Sequence, residues 1–511
     1  MTTAVTHLWR LLRWGRTLAR HGALTGIERD PLTPPNVRRL VRVARFGLTM
    51  PDTPDYASAL QAIGPAAIKL GQALATRPDL VGEAAADNLM MLQDSLPPAP
   101  YAAIRASVEQ ALGAPLERLY SRFDEMPVGA ASIAQVHRAV TIEGRDVAVK
   151  VLRPGIEEEF ARAMQTYEWA AAHVELLGGE AERLRPRLVI AHFKQWTRRE
   201  LDLQREAASA SELKDNMIAE PGFYVPEIDW KRTARRVLTL EWLDGIKLSK
   251  RDELIAAGHD PRILATTLVR AFLRQAVVDG YFHADLHQGN LFALADGRLA
   301  AIDFGIMGRI DRRARLWLAE ILYGLITGNY RRVAEIHFEA QYVPSHHNVD
   351  EFATALRAIG EPIRGLPVKQ ISVGRMLEGL FSVTRDFDMP TQPHLLLLQK
   401  TMVMEEGVAT ALDPDLNMWE AAEPFLKDWL RTELGPEAYY ADRIVETMRA
   451  FKLIPDLIRR IEASYPPPGA APPPPPLGDV TMVERTQWLA PLAIALISAA
   501  TAALATYLLI A

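Results

Sequence analysis

The stretch His283-Ala284-Asp285-Leu286-His287-Gln288-Gly289-Asn290, followed by Ala301-Ile302-Asp303-Phe304-Gly305, decides how this chain is read. It sets an Asp and an Asn five residues apart, then a second Asp in a short apolar run that closes on Gly. Carboxylate and amide oxygens are hard ligands and proton acceptors, the groups that handling a magnesium-bound triphosphate requires. Either piece alone is ordinary, an Asx turn or a strand end. Together and in this order they point to phosphoryl chemistry.

In protein kinases a catalytic loop of the form H-R-D-x-x-x-x-N precedes D-F-G. Asp285 to Asn290 keeps that spacing, and Asp303-Phe304-Gly305 matches literally. Such a site also needs a phosphate-pairing lysine on an earlier strand. Val147-Ala148-Val149-Lys150 supplies a β-run ending in one. Before it, Val128-Gly129-Ala130-Ala131-Ser132-Ile133-Ala134-Gln135-Val136 forms a small-residue loop, whose backbone N–H groups are expected to approach phosphates. Tyr120 to Val151 alternates as strands do, and Val237 to Gly245 reads as a strand entering a turn, where a hinge between lobes would run. Residues 261–280 and 312–460 carry helical periodicity without a long β-rich run.

Two further groups stand out. From Ala62 to Thr76 the only charge is Lys69, on a helix that Gly64-Pro65 would open, with Gln72 one turn on and Gly71 permitting close approach. A lysine among Ala, Ile and Leu is costly to bury unless acids meet it; otherwise it snorkels to the surface. Glu200, Asp202 and Glu206 lie in a charged, mostly helical region. Glu200 and Glu206 are six apart, so they point differently and can serve different lysines. Glu200 and Asp202 diverge by about 200° on a regular helix.

The chain has 511 residues, 49% hydrophobic and 24% charged, which fits a globular protein of two domains or lobes. Having no cysteine, it has neither disulfides nor thiolate metal sites. Residues 1–50 hold nine Arg, no Lys and two acids, leaving a balance of −12 in the rest. A basic end on an acidic body excludes a nucleic-acid-binding protein throughout and suggests a local anionic partner. At 100° per residue, Val5, Leu8, Leu11, Leu12, Leu18 and Ala19 share one face and Arg10, Arg13, Arg16 and Arg20 the other. That helix suits either an anionic membrane surface or docking on the body. An Arg-rich start also resembles a mitochondrial presequence, but no Ser precedes Ser58. Pro466 to Pro476 holds eight Pro, a stiff spacer. Trp488 to Ala511 has no charge over 24 positions, enough at about 1.5 Å per residue to span a bilayer core of about 30 Å. Arg485 before it places the body on the cytoplasmic side.

These residues carry a resemblance to the UbiB family of atypical kinase-like proteins, over roughly 60–420 and the tail. The carriers are Lys69-Leu-Gly71-Gln72, Ala130 to His137, Val147-Ala-Val-Lys150 with Arg153-Pro154-Gly155, Glu200-Leu-Asp202 with Glu206, His283 to Asn290, Asp303-Phe-Gly305, Glu406-Gly407-Val408 and Leu412-Asp413-Pro414. Gly129 stands where the family has Ala, and Leu286 and Gln288 where it has Pro.

The resemblance implies an α+β, bilobal protein-kinase-like fold with an N-terminal helical extension and a C-terminal transmembrane helix. The expected divisions are 1–50 basic segment, 51–120 extension, 121–245 small lobe, 246–460 large lobe, 461–484 linker and 485–511 membrane tail. ATP and Mg2+ are the expected cofactors. Lys150, paired with Glu206, and Asp285 are expected to be catalytic. Asn290 and Asp303 take the metal, the loop from Val128 to Val136 the nucleotide, and Lys69, Gln72, Glu200 and Asp202 form a regulatory set. The implied function is a membrane-associated atypical kinase or ATPase that supports ubiquinone biosynthesis. Expected partners are membrane lipids, isoprenoid-quinone intermediates and quinone-biosynthesis enzymes, with homodimerisation left open. The expected location is the inner (cytoplasmic) membrane of a bacterium. The rivals are a nucleotide-binding pseudokinase scaffold and a small-molecule kinase.

Overall fold

The computed structural model describes residues 2–25, 35–48, 51, 53–75, 96–175, 185–362, 383–384, 386–389 and 393–433, with isolated positions between 76 and 95. The proline-rich spacer and the Trp488–Ala511 run lie outside the described residues. Among those described, no helix is long and apolar enough to cross a membrane. The described residues divide into two compact units, Met1–Ser209 with Glu227–Trp242, and Ala210–Pro226 with the described residues from Leu243 to Glu433.

The first unit is built on an antiparallel sheet in the order Tyr120–Phe123, Ala134–Thr141, Asp146–Leu152, Val237–Glu241. Gly129–Ala130 adds to its Ala134–Thr141 strand. Side chains alternate across a strand. Val147, Val149 and Val151 therefore pack on one face with Ile104 and Val108 of the Tyr101–Leu112 helix. Ala148 and Leu152 enter the opposite core, and Lys150 shares their parity. That second core takes in the Pro65–Ala75 and Ile156–Glu175 helices and the N-terminal helix, Thr2–Arg20.

The N-terminal helix is docked on the body. Leu8, Leu11, Leu18 and Ala19 are buried, as is Trp14, whose ring lies 5.2 Å from that of Tyr167. Each fully buried Leu contributes about 1.5–3 kcal/mol, so the apolar face already has its partner in the core. The membrane-surface alternative for that face loses its basis; Val5 and Trp9 stay exposed.

The second unit holds a four-stranded sheet in the order Phe223–Tyr224, Leu299–Ala301, Leu291–Leu294, Gly245–Lys247. Its first pair is parallel and the others are antiparallel. A two-stranded sheet joins Tyr281–His283 to Met307–Arg309. Helices follow at Arg312–Thr327, Tyr330–Glu339, Val349–Gly360, Pro393–Leu412 and Met418–Glu433. The sequence reading kept 121–245 in one lobe. The structure instead puts Ala210–Pro226 in the second unit, because Phe223 and Tyr224 pair with Leu299 and Ala300. The segments 1–50 and 51–120 likewise share a unit with the sheet.

Candidate functional site

In the first unit, register aims Lys150. The pairing of Asp146–Leu152 with strands on both sides fixes the backbone, and Lys150 Nζ reaches Glu206 at 2.7 and 2.9 Å. Glu206 is in the first turns of the Leu203–Asn216 helix and is 7% exposed. The ammonium is thus held by both carboxylate oxygens in a largely dry setting, a charge-assisted contact.

Lys69 follows the same logic from a different element. It is buried in the Pro65–Ala75 helix, and its Nζ lies 3.3 Å from Glu200 Oε1. The glycine two residues on makes this packing feasible: a Cβ on Gly71 would stand 2.4 Å from Leu60 Cδ1 and 2.5 Å from Leu92 Cδ1. The Pro186–Glu200 helix ends at Glu200, and Asp202 starts the next one, its Oδ1 accepting from Gln204 N–H at 3.2 Å. The two acids are therefore not on one regular helix: Glu200 faces Lys69 and Asp202 caps. Gln72 lies half-buried on the same helix as Lys69.

In the small-residue loop some of the backbone donors are already engaged within the chain. Val128 N–H donates to Val136 O and Ala131 N–H to Ala134 O, each at 2.8 Å. Hairpin closure thus occupies those two donors. Ser132, Ile133, Ala134 and Gln135 are buried, and Ile133 and Ala134 belong to the core. The Gln135 side chain is internal, its Oε1 accepting from Ala99 N–H at 2.8 Å and its Nε2 donating to His137 Nε2 at 2.8 Å. Arg153 Nε donates to Ala131 O at 2.8 Å and pins the turn. Gly129 and Val128 are exposed, and Ala130 and Val136 are half-buried.

In the second unit, His283 joins the two motifs. It is buried; its Nδ1 accepts from Asp285 N–H at 3.1 Å and its Nε2–H donates to Asp303 O. Both contacts require the neutral tautomer protonated at Nε2, and burial pushes its pKa down, to the same effect. The turn Arg274–Asp279 is a π-helix, and from it Gln275 Oε1 accepts from His283 N–H at 3.0 Å. Gly280 closes it at φ 64°, where a Cβ would stand 2.4 Å from Ile310 O.

The oxygens follow. Asn290 Nδ2 donates to Asp285 O at 3.3 Å, which turns its Oδ1 away as an acceptor. Asp303 Oδ1 accepts from Gly305 N–H at 3.0 Å in an Asx turn. The structure thus sets Asp285, Asn290 and Asp303 on loops tied to one another through His283 and Asn290. This is the donor set that a hard divalent cation fits.

The sequence reading missed Lys400, on the Pro393–Leu412 helix, whose Nζ lies 3.9 Å from Asp285 Oδ1. Ala284 stands where kinases have the Arg of their catalytic loop, and this cation arrives instead from 115 residues downstream. No spacing rule links such distant positions. The one available signal was a lysine following the four-leucine run Leu395–Leu398.

Residues 91–337 match the ABC1 atypical kinase-like domain, and residues 356–417 match the UbiB helical domain. Lys69 lies before both matches. The chain is 42% identical over 382 residues to the probable protein kinase UbiB of Marinobacter nauticus, covering 74% of this chain and 70% of the relative. It is also similar to a solved chain from the complex of Rv3197 with erythromycin from Mycobacterium tuberculosis, at 26% identity and a TM-score of 0.49, covering 71% of this chain and 93% of that one. With the kinase-like domain and the helical domain matched in order, and a relative of this identity aligned over most of both chains, this protein belongs to the UbiB family of atypical kinase-like proteins.

Proposed function

We propose that the protein binds Mg-ATP and acts as an atypical kinase or ATPase in support of ubiquinone biosynthesis, tethered to a bacterial membrane by its C-terminal tail. The observation that carries this reading is the bidentate Lys150–Glu206 pair, since a strand lysine held by a helix glutamate is what kinases use to position nucleotide phosphates. In this reading Asp303 and Asn290 Oδ1 hold the metal, which when bound offsets charge on the phosphate oxygens. Asp285 orients the attacking group and accepts its proton. Lys150 pairs with the phosphates and Glu206 keeps its ammonium in place. His283, held neutral, sets the spacing between the two carboxylate loops. The tail reading rests on the uncharged run Trp488–Ala511, and membrane lipids, quinone intermediates and partner enzymes belong to the same proposal.

Thermal shift with Mg-ATP tests the site. Wild type is expected to be stabilised, and Asp303→Asn is expected to lose that shift while keeping its ligand-free melting temperature. An equal shift in the variant removes the metal assignment. Restoration of the quinone profile in a deletion strain by wild type but not by Asp303→Asn tests the pathway. Restoration by both favours a scaffold without catalysis.

A further inference from the structure

A second cluster of ligand side chains lies in the second unit and shares no residue with the nucleotide and metal assignments. It joins His346 and His347, in the turn between the Tyr330–Glu339 and Val349–Gly360 helices, to Asp388. One ligand atom from each lies within 4.8 Å of the other two. The imidazoles lie side by side, with ring centroids 4.1 Å apart. Both turn Nε2 toward the same carboxylate oxygen, Asp388 Oδ2, at 3.6 Å for His346 and 3.2 Å for His347.

Local structure places each ligand. His347 N–H donates to Pro344 O at 3.2 Å and closes the turn, and Asn348 Oδ1 caps the helix that follows by accepting from Asp350 N–H at 2.7 Å. The His347 ring lies 5.2 Å from that of Phe387. Phe387 and Met389, on either side of Asp388, pack on the core formed by Tyr330, Val333, Phe352 and Leu356. Phe387 N–H donates to Val383 O at 3.1 Å and Met389 N–H to Thr384 O at 2.9 Å, the pattern of a helix end. Such an end passes through one left-handed residue, normally Gly, and here it is Asp388 at φ 49°. A carboxylate thus stands where backbone geometry alone favours glycine, and Asp is among the few other residues that tolerate the place.

A hydrogen bond accounts for one imidazole only. His347 Nε2 is within reach of Asp388 Oδ2, whereas His346 Nε2 at 3.6 Å is beyond it. A tetrahedral ion accounts for both. With bonds of about 2.0–2.1 Å to nitrogen and oxygen, zinc separates neighbouring ligand atoms by about 3.3–3.4 Å. The two separations at Asp388 Oδ2 bracket that edge. Two imidazoles and a carboxylate are a three-ligand zinc set, while magnesium and calcium take oxygen. We infer that His346, His347 and Asp388 form a zinc-binding site whose fourth position is open to water. The side chains of His346 and Asp388 are about two-thirds exposed, which leaves that position to solvent. The ion clips the turn between the two helices to the segment that carries Asp388, and so adds its binding free energy to the fold.

Calorimetric titration of the full chain with zinc chloride, without nucleotide, is the test. Wild type is expected to bind zinc that excess magnesium does not displace. His346→Gln and Asp388→Asn are each expected to bind at least about tenfold more weakly, a loss that metal sites show even when only an outer partner is removed. His346 is exposed, and Asn suits the left-handed region, so both variants should keep the ligand-free melting temperature. Cobalt in place of zinc should give the visible absorption of a four-coordinate site in wild type, and His346→Gln should lose it. The proposal is overturned if wild type binds no zinc, or if either variant binds it as wild type does. It is equally overturned if Asp303→Asn abolishes binding while Asp388→Asn does not, which would put the zinc among the nucleotide-site oxygens. The Mg-ATP thermal shift should be the same in wild type and Asp388→Asn, so failure here is separable from failure of the nucleotide reading.

Discussion

The first unit buries two glutamates against lysines, whereas the second buries Glu405 with no hydrogen-bond partner for either oxygen among the described residues. The difference shows how a carboxyl survives in the core. Glu200 and Glu206 each have an ammonium within 3.3 Å. Glu405 is fully buried on the Pro393–Leu412 helix, and desolvation pushes its pKa well above the ordinary carboxylate range. Pairing keeps a buried charge; without pairing the group keeps its proton.

The contrast can be broken first at Lys69. Lys69→Ala strands Glu200 and should cost about 3–5 kcal/mol in a urea melt, because both side chains are below a tenth exposed. Lys69→Met with Glu200→Leu should recover most of that loss, since removing both charges is far cheaper than removing one. A loss no larger for Lys69→Ala than for a surface lysine would return this residue to a snorkelling role.

Lys150→Ala comes next. Its ammonium is more exposed than that of Lys69, so the cost should be about 3 kcal/mol at most. The Mg-ATP thermal shift should fall with it. Retention of the full shift would separate Lys150 from the nucleotide.

Glu405 sharpens the contrast through pH. Its folded pKa is raised, so the unfolded chain releases the proton at lower pH than the folded one does. The contribution of Glu405 to stability is therefore undiminished below its unfolded value of about 4.5 and declines as pH rises toward the folded pKa. Glu405→Gln should be more stable than wild type at pH 8, with the gap closing toward pH 4. A gap independent of pH would show that Glu405 is not held protonated.

The smallest effect is expected at Lys400, whose contact with Asp285 is 3.9 Å long and about one-third exposed on each side. Lys400→Ala should change stability by only about 0–1 kcal/mol. If this cation serves Asp285 during turnover, ATP hydrolysis should fall while the melt barely moves. Unchanged hydrolysis would reduce the pair to a surface contact.

The residue types and spacing of His283 to Asn290, of Asp303-Phe304-Gly305 and of Val147 to Lys150 were legible in the sequence, because each is a local motif whose members lie within one loop or strand. Period-2 alternation also placed Lys150 on the face opposite Val149, and the spacing of Glu200 and Glu206 already separated their tasks. Which lysine each acid meets depended on packing across 131 residues for Lys69 and 56 for Lys150. The helix break after Glu200 was decided there too, with Asp202 drawn into capping instead of facing Lys69. So was the fate of the N-terminal apolar face, equally suited by periodicity to a bilayer or a protein core and settled by the core it found. The loop from Val128 to Val136 teaches the same point. Small residues permit a tight hairpin as well as close approach of a phosphate, and only the tertiary arrangement showed that the hairpin engages the Val128 and Ala131 donors.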